Sequence, residues 1–226
     1  MCIIHGIEKE KLFGYNYFVC FEEKSMNGFI MKRFVGVISA FMLLSCLFGC
    51  GSDEGQLTTV ALDKNGKITN TIYEDFSEEY YDVTELTQMT ENEISSFNAE
   101  RLTEKITLDA VDKISDGNAV KMVLKFATPT DYAEFNNTVL YYGTVQDALD
   151  RGYSISSDLI DENGLKINAD ALEDNKDNHI IITKDRSVFI TPYNIVYSSN
   201  GVSLKGKKEA VLSSSTSEEI QLILSK

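Results

Sequence analysis

His179 is the side chain best suited to chemistry near neutral pH, because an imidazole titrates there and binds metal ions. Asp174 and Asp177 precede it closely, and the three together are the candidates for a metal site. A mononuclear zinc enzyme needs further nitrogen ligands, and the other histidine of the chain, His5, lies far upstream. We therefore interpret His179 as a polar residue at a strand edge and predict no metal centre.

Carboxylates are the other groups that could catalyse a reaction, since a pair of them can cleave a glycosidic bond. The chain has 35 Asp and Glu against 21 Lys and Arg, for a net charge of −14, but abundance does not identify a pair. The sequence contains no glycine-rich phosphate loop, GxSxG or SxxK pattern. We predict no enzyme, no catalytic residue and no cofactor. The acidic charge argues against nucleic acid, whose phosphates need Lys and Arg.

Two segments resemble part of a calcium-binding loop. Asp63 to Gly66 and Asp161 to Gly164 each place an acid, a spacer, an Asn and a Gly in the order of an EF-hand. The first-ligand positions would be Ala61 and Leu159, which cannot coordinate a cation. Hairpin turns therefore explain both segments better than calcium does.

Tyrosines offer a third possible site, a face for stacking sugars or binding peptides. The chain has no tryptophan, which weakens the carbohydrate interpretation, and aromatic residues in strands commonly pack half-buried on a sheet. We therefore favour core packing for most of them. The tyrosines considered are Tyr80, Tyr81, Tyr141, Tyr142, Tyr153, Tyr193 and Tyr197.

Residues 31 to 52 have the layout of an export signal. The basic pair Lys32 and Arg33 precedes an apolar run from 34 to 48, and Cys50 follows it. The run is roughly 15 residues long, shorter than the ~20 that a membrane-spanning helix needs. The remaining cysteines, Cys2, Cys20 and Cys46, all precede Cys50, so the sequence downstream contains no thiol and no disulfide.

The segment Leu47-Phe48-Gly49-Cys50 resembles the lipobox of bacterial lipoproteins, although Phe48 is bulkier than the usual Ala or Ser. The resemblance implies a diacylglycerol on the Cys50 thiol, cleavage after Gly49, and attachment to the extracytoplasmic face of the cell membrane through acyl chains such as palmitate. The segment 43 to 46 is a second match, which makes Cys46 the alternative lipidation site. We prefer Cys50 because the polar residues after it suit a flexible tether.

These signals divide the chain into three parts. Residues 1–49 are an upstream extension and a signal peptide, with Met31 as the plausible true start. Residues 50–56 are the lipidated tether, and residues 57–226 form one extracytoplasmic domain of a length that suits a single core.

Turn and capping signals divide residues 57–226 into short elements. Asn65-Gly66 predicts a hairpin, and Asp82 with Glu85 predicts the start of a helix that ends near residue 100. Thr128, with Pro129 at the first helical position, and Thr144 each begin a further short helix. We predict an α+β fold, a mainly antiparallel sheet of short strands and hairpins with two or three helices on one face. The other predicted elements are a second hairpin over 105–126, strands at 139–142, 155–160, 179–183, 187–191, 194–198, 207–212 and 219–224, and a brief helix at 169–173.

The extracytoplasmic part is also similar to a group of small Gram-positive lipoproteins of unassigned function. The likeness rests on Tyr142-Gly143-Thr144-Val145 with Ala148 and Gly152-Tyr153, on the acidic stretch 75–81, and on the strand after His179. It implies no chemistry. We expect a non-enzymatic module that binds a protein or a cell-wall component. The alternatives are a carboxylate hydrolase acting on the cell wall and a small solute-binding lipoprotein.

Replacement of the lipidated thiol tests the predicted membrane anchor. We expect Cys50→Ala to leave the leader uncleaved and to remove the diacylglycerol-modified amino-terminal peptide, because the thiol is the acceptor of the lipid. Mass spectrometry of that peptide from isolated membranes measures both effects. Unchanged processing and membrane attachment in Cys50→Ala would contradict the assignment and direct attention to Cys46.

Overall fold

The computed structural model describes residues 57–78 and 81–225, which form four α-helices, eleven strands and one 3-10 turn at Ser115–Gly117. The helices are α1 (Val83–Glu100), α2 (Pro129–Phe135), α3 (Val145–Asp150) and α4 (Ala169–Asp174). The strands are β1 (Thr59–Leu62), β2 (Ile68–Asp75), β3 (Ile106–Ile114), β4 (Ala119–Phe126), β5 (Leu140–Thr144), β6 (His179–Thr183), β7 (Val188–Ile190), β8 (Ile195–Ser198), β9 (Ser203–Leu204), β10 (Glu209–Val211) and β11 (Ile220–Leu224).

Seven strands form the first sheet, in the order β3-β4-β2-β1-β7-β10-β9. Both predicted hairpins are present in it, since β1 pairs with β2 and β3 pairs with β4 in antiparallel register. The turn between β1 and β2 contains Gly66 at φ +80°, a conformation that glycine adopts without strain. The single parallel pairing among the described strands joins β1 to β7.

The second sheet has four strands in the order β5-β6-β11-β8, and both of its faces are buried. Ile180, Ile181 and Ile182 on β6 have no solvent exposure, and side chains alternate between the faces of a strand. Ile181 faces a core shared with Phe126 and Phe189 of the first sheet. Ile180 and Ile182 face a second core that includes residues of α3 and α4. The second sheet therefore lies between the first sheet and the helices α3 and α4.

A polar segment carries the chain from β6 in the second sheet to β7 in the first. The Tyr132 hydroxyl donates to Asp185, whose other carboxylate oxygen accepts the Ser187 amide at 2.7 Å. Burial and the adjacent Asp185 raise the pKa of Tyr132 well above its usual value. The Arg186 guanidinium donates to the Ser215 and Ser217 carbonyl oxygens. These bonds fix the crossing between the two sheets.

Each of the four helices begins at a side chain that caps its first turn. Asp82 accepts the Thr84 and Glu85 amides, which lowers the pKa of its carboxyl. Thr128, Thr144 and Asn168 each accept one amide of the first turn of α2, α3 and α4. The predicted starts at Asp82, Thr128 and Thr144 are thus confirmed, because these side chains satisfy amides that the helix leaves unpaired.

The predicted α+β class and antiparallel pairing are confirmed, with two differences in detail. The strands form two sheets, and the helices do not share one face: α1 packs against β3, α2 belongs to the first core, and α3 and α4 pack beside the second sheet. Residues 155–160 do not form a strand; only Ile160 makes isolated bridges, to Lys166 and Ser198. At the start of this segment the backbone pairs with a side chain instead of a strand, since the buried Gln221 side chain donates to the Ser154 carbonyl and accepts the Ser156 amide.

The described residues belong to one compact unit. Among them, no helix has the length and apolar character needed to cross a membrane. The predicted signal peptide, Met31, Cys46, Cys50 and the tether lie outside the described residues, as does Tyr80.

Candidate functional site

His179 lies in a stack of three aromatic rings. Its ring centroid is 5.0 Å from that of Tyr142 and 5.0 Å from that of Tyr193, with interplanar angles of 23° and 28°. Tyr142 and His179 face the same side of the second sheet, because Tyr142 pairs with Ile181 and Thr144 pairs with His179. Two separate leads from the sequence, the histidine and the tyrosines, therefore converge on one cluster.

The first hairpin lies against this cluster. The Lys64 ammonium is 5.7 Å from the centroid of the Tyr193 ring, and a Cβ on Gly66 would be 3.4 Å from Cδ1 of Tyr142. The Tyr142 hydroxyl is buried and makes no hydrogen bond to any residue that the structure describes. Burial, followed by Tyr193 and Asp63, raises the pKa of Tyr142 to about 12. This hydroxyl is therefore neutral in the physiological range.

The candidate metal ligands are not brought together. Asp174 ends α4 and Asp177 lies in the following turn, both exposed, whereas His179 is half-buried in the stack. In residues 57–78 and 81–225, no group of three or more His, Cys, Asp or Glu side chains has an arrangement that could hold a metal ion. The surroundings of His179 are aromatic instead.

The two calcium-like segments are turns of the same kind. Asp63 Oδ1 accepts the Asn65 and Lys67 amides at 2.8 Å each. Asp161 Oδ1 accepts the amides two and four residues further on, at 2.9 and 2.8 Å, which holds the pKa of its carboxyl below the usual range. The hairpin-turn interpretation accounts for both, because each carboxylate oxygen binds the backbone of its own loop.

The other tyrosines mostly pack against nearby rings. Tyr141 and Tyr153 are 4.8 Å apart between centroids, and both rings pack against the second core. Tyr81 stacks on Phe76 at 5.1 Å, and Tyr197 lies against the second core. None of these four is fully buried or fully exposed. These four tyrosines therefore pack against other side chains of the domain.

A shallow groove of about 870 Å³ runs between the carboxyl-terminal half of α1 and strand β3. The strand contributes one wall and the helix the other, with the helix end and the following loop as the rim. The only ionisable residues that line the groove are acids, Glu91 and Glu104. The lining residues are Glu91, Ile94, Ser95, Asn98, Ala99, Leu102, Thr103, Glu104, Ile106, Thr107 and Leu108.

Leu102 at the rim combines backbone strain with almost complete exposure. Its amide donates to Ala99 and the Thr103 amide donates to Asn98, which is the hydrogen-bond pattern that ends many helices. The residue at this position adopts a left-handed conformation and is usually glycine. Here it is a leucine at φ +54° that is 94% exposed as a residue. The other described non-glycine residues with positive φ are Ser115, Asp116 and Asn137, all with short polar side chains.

The Asn98 side chain lines the groove and hydrogen-bonds to the backbone at the start of β3. Its Oδ1 accepts the Ile106 amide at 3.0 Å and the Lys105 amide at 2.8 Å, and its Nδ2 donates to the Ile106 carbonyl at 2.8 Å. The amide group thus pairs with Ile106 as a peptide group of a neighbouring strand would. This contact joins α1 to the edge of the first sheet.

The carboxyl groups with a raised pKa lie elsewhere. Desolvation, with a smaller contribution from Asp75, raises the pKa of Glu74, and desolvation raises that of Glu93. Neither residue lines the α1–β3 groove or the second, smaller hollow, which is bordered by Asp63, Lys67 and other residues of the first sheet. Neither of these two hollows therefore contains Glu74 or Glu93, the described carboxyl groups whose pKa is raised.

Sequence reasoning did not identify Asn98 or Leu102 as functional residues. The available signal was the end of α1, where the sequence Asn98-Ala99-Glu100-Arg101-Leu102 contains no glycine at the left-handed position. Such a helix end predicts a strained residue without showing which way its side chain points. Comparisons of the chain with protein-family models, with curated proteins and with solved structures find no match.

Two tyrosine variants test the different states of two buried hydroxyl groups. We expect Tyr142→Phe to leave the free energy of unfolding unchanged or to raise it by up to about 1 kcal/mol, because the removed hydroxyl has no partner among the described residues. Tyr132→Phe should lower it by about 1 to 3 kcal/mol, because Asp185 loses a donor. Urea unfolding of the full-length protein measures both changes. Equal losses in the two variants would contradict the description of Tyr142.

Proposed function

We propose that this protein is a lipid-anchored extracytoplasmic binding module that holds a protein partner in the α1–β3 groove, and that it is not an enzyme. The anchor is the diacylglycerol on Cys50 expected from the lipobox, which places the domain on the outer side of the cell membrane. The groove then faces the space where other envelope proteins and the cell wall are found.

The observation that carries this proposal is Leu102. A leucine in the left-handed region costs roughly 1 to 2 kcal/mol relative to its relaxed conformation, and exposure of its side chain returns no packing energy within the domain. Strained residues persist where the surrounding structure or the function requires them. An apolar side chain held out at the rim of a groove is a suitable anchor for a partner, since buried apolar contacts dominate the energy of protein interfaces.

The groove itself favours a macromolecular partner over a small solute. It is open and shallow, whereas small-molecule sites are enclosed and bury most of the ligand surface. Its walls combine apolar side chains such as Ile94 and Leu108 with polar groups such as Ser95 and Asn98. This mixture resembles the composition of a protein interface more than that of a solute cavity.

Leu102→Gly separates the two consequences of the proposal. We expect the variant to be more stable than the parent by up to about 1 kcal/mol, because glycine relieves the strained φ, and to bind its partner more weakly. Urea unfolding measures stability. Binding is measured in intact cells with a photo-crosslinking amino acid in place of Ser95, an exposed groove residue.

Leu165→Gly is the matched control, since Leu165 is a second exposed leucine, at 65%, and lies outside the groove. Crosslinking from position 162, in the loop before Leu165, measures the background level of adducts. The proposal expects adducts from position 95 that disappear in Leu102→Gly and persist in Leu165→Gly. Adducts that are equal from positions 95 and 162, or unaffected by Leu102→Gly, would refute it.

A further inference from the structure

We propose that the occupant of the α1–β3 groove is an extended, positively charged peptide segment that pairs as an additional strand with the edge of β3 at Leu108. This inference rests on the proposed function and specifies the chemistry of the partner. It follows from three features of the groove: a vacant strand edge, an interruption that defines where pairing begins, and a wall with only negative charge.

The first feature is the position of β3. It is the terminal strand of the first sheet, with β4 as its neighbour, and no other described strand pairs with its opposite edge. Such an edge presents backbone donors and acceptors to which another chain can bind. Addition of an extended peptide to a sheet edge is a common mode of peptide recognition.

The second feature is the alternation of backbone groups along this edge. The Ala127 amide donates to the Lys105 carbonyl at 2.8 Å, so the Lys105 carbonyl points toward β4. Ile106 directs its amide and carbonyl the other way, to Asn98. In an antiparallel pair, successive residues direct their backbone groups alternately toward the partner strand and away from it. This alternation holds in β3 as far as Leu108, because the register is regular up to that residue. The Leu108 amide and carbonyl therefore face the groove.

Asn98 determines where the added strand begins. Its side chain occupies the Ile106 position of the edge, so a peptide can pair from Leu108 onward and not before. The β-bulge between Leu108 and Ala110 then changes the direction of the strand. A short segment is thus accepted, whereas a long strand of a second sheet is not.

The third feature is charge. Glu91 and Glu104 are the ionisable residues that line the groove, and Arg101 at the end of α1 does not line it. The Arg101 guanidinium lies 3.4 Å from the centroid of the Phe97 ring and forms an ion pair of 2.6 Å with Glu134. Glu104 also borders the second hollow, which differs from the groove in having Lys67, Lys105 and Lys125 among its lining residues, whereas no lysine or arginine lines the groove.

A basic segment suits this wall better than a second copy of the chain does. The chain carries a net charge of −14, so two copies repel each other, whereas Lys or Arg side chains of a partner complement Glu91 and Glu104. The charged groups are exposed to solvent, so salt weakens their attraction.

Synthetic peptides test the pairing and the charge separately on the full-length protein. The probe is the nonapeptide KTKVTVKTK with blocked termini, which favours an extended conformation. One comparison peptide replaces every Lys with Glu. The other carries N-methyl groups on its three central amides, which removes donors on both edges and keeps the charges. Fluorescence anisotropy measures the dissociation constants.

We expect the Lys peptide to bind, and the Glu and N-methylated peptides to bind at least about tenfold more weakly. The double variant Glu91→Gln, Glu104→Gln should weaken binding of the Lys peptide by about tenfold, whereas Glu162→Gln should leave it unchanged. Equal binding of the N-methylated peptide would overturn the strand pairing, and equal binding of the Glu peptide would overturn the charge requirement.

The outcome is distinguishable from a failure of the proposed function. If the Lys peptide does not bind while crosslinking from position 95 still depends on Leu102, the groove holds a partner of other chemistry and this inference is wrong. If the Lys peptide fails and that crosslinking is also absent, the proposed function falls as well. Association of the chain with itself through the groove, detected by sedimentation, would likewise overturn the inference.

Discussion

The contact between the Asn98 side chain and the backbone of Ile106 is the constraint on which the candidate site depends. One side-chain amide satisfies two backbone amides and a carbonyl at the edge of the first sheet, with distances of 2.8 to 3.0 Å. It holds the end of α1 beside β3 and thereby fixes the width of the groove. It also ends the vacant part of the strand edge at Ile106, and it lies four residues before Leu102, whose position at the rim follows from the same helix end.

The second sheet imposes the other main constraint. A strand whose successive residues Ile180, Ile181 and Ile182 are all buried must have a layer on each side. The first sheet provides one layer, and the helices α3 and α4 provide the other. The polar crossing at Tyr132, Asp185 and Arg186 joins the layers. This arrangement leaves α1 and the edge of β3 at the far end of the first sheet, free of the second core.

Local features of the fold could be predicted from the sequence because their causes are local. Asn65-Gly66 predicts the first hairpin, and Asp82 and Thr128 predict helix starts, since neighbouring amides determine each of them. The division into two sheets could not be predicted, because β5, β6 and β11 pair across long stretches of chain. Residues 155–160 were wrongly predicted as a strand; the backbone at Ser154 and Ser156 pairs with the side chain of Gln221, more than sixty residues away in sequence.

In the candidate site, too, residue types could be predicted from the sequence, whereas their spatial arrangement could not. His179, Tyr142 and Tyr193 could each be identified by residue type, but their stacking depends on the pairing of β5 with β6 and on a loop after β7. Leu102 could not be recognised, because a leucine after a helix carries no signal of its backbone angle or its exposure. The anchor at Cys50 is a prediction from its own short motif and does not depend on the fold.

Hydrogen exchange at two amides of β3 tests the central claim most directly, because the groove can accept a strand only if its edge is open. In the full-length protein without ligand, the Ile106 amide should exchange slowly, since Asn98 accepts it, and the Leu108 amide should exchange at least about tenfold faster. Site-resolved NMR measures both rates. Equal protection of the Leu108 amide would mean that the edge is already paired, and it would contradict the account of the groove as a binding site.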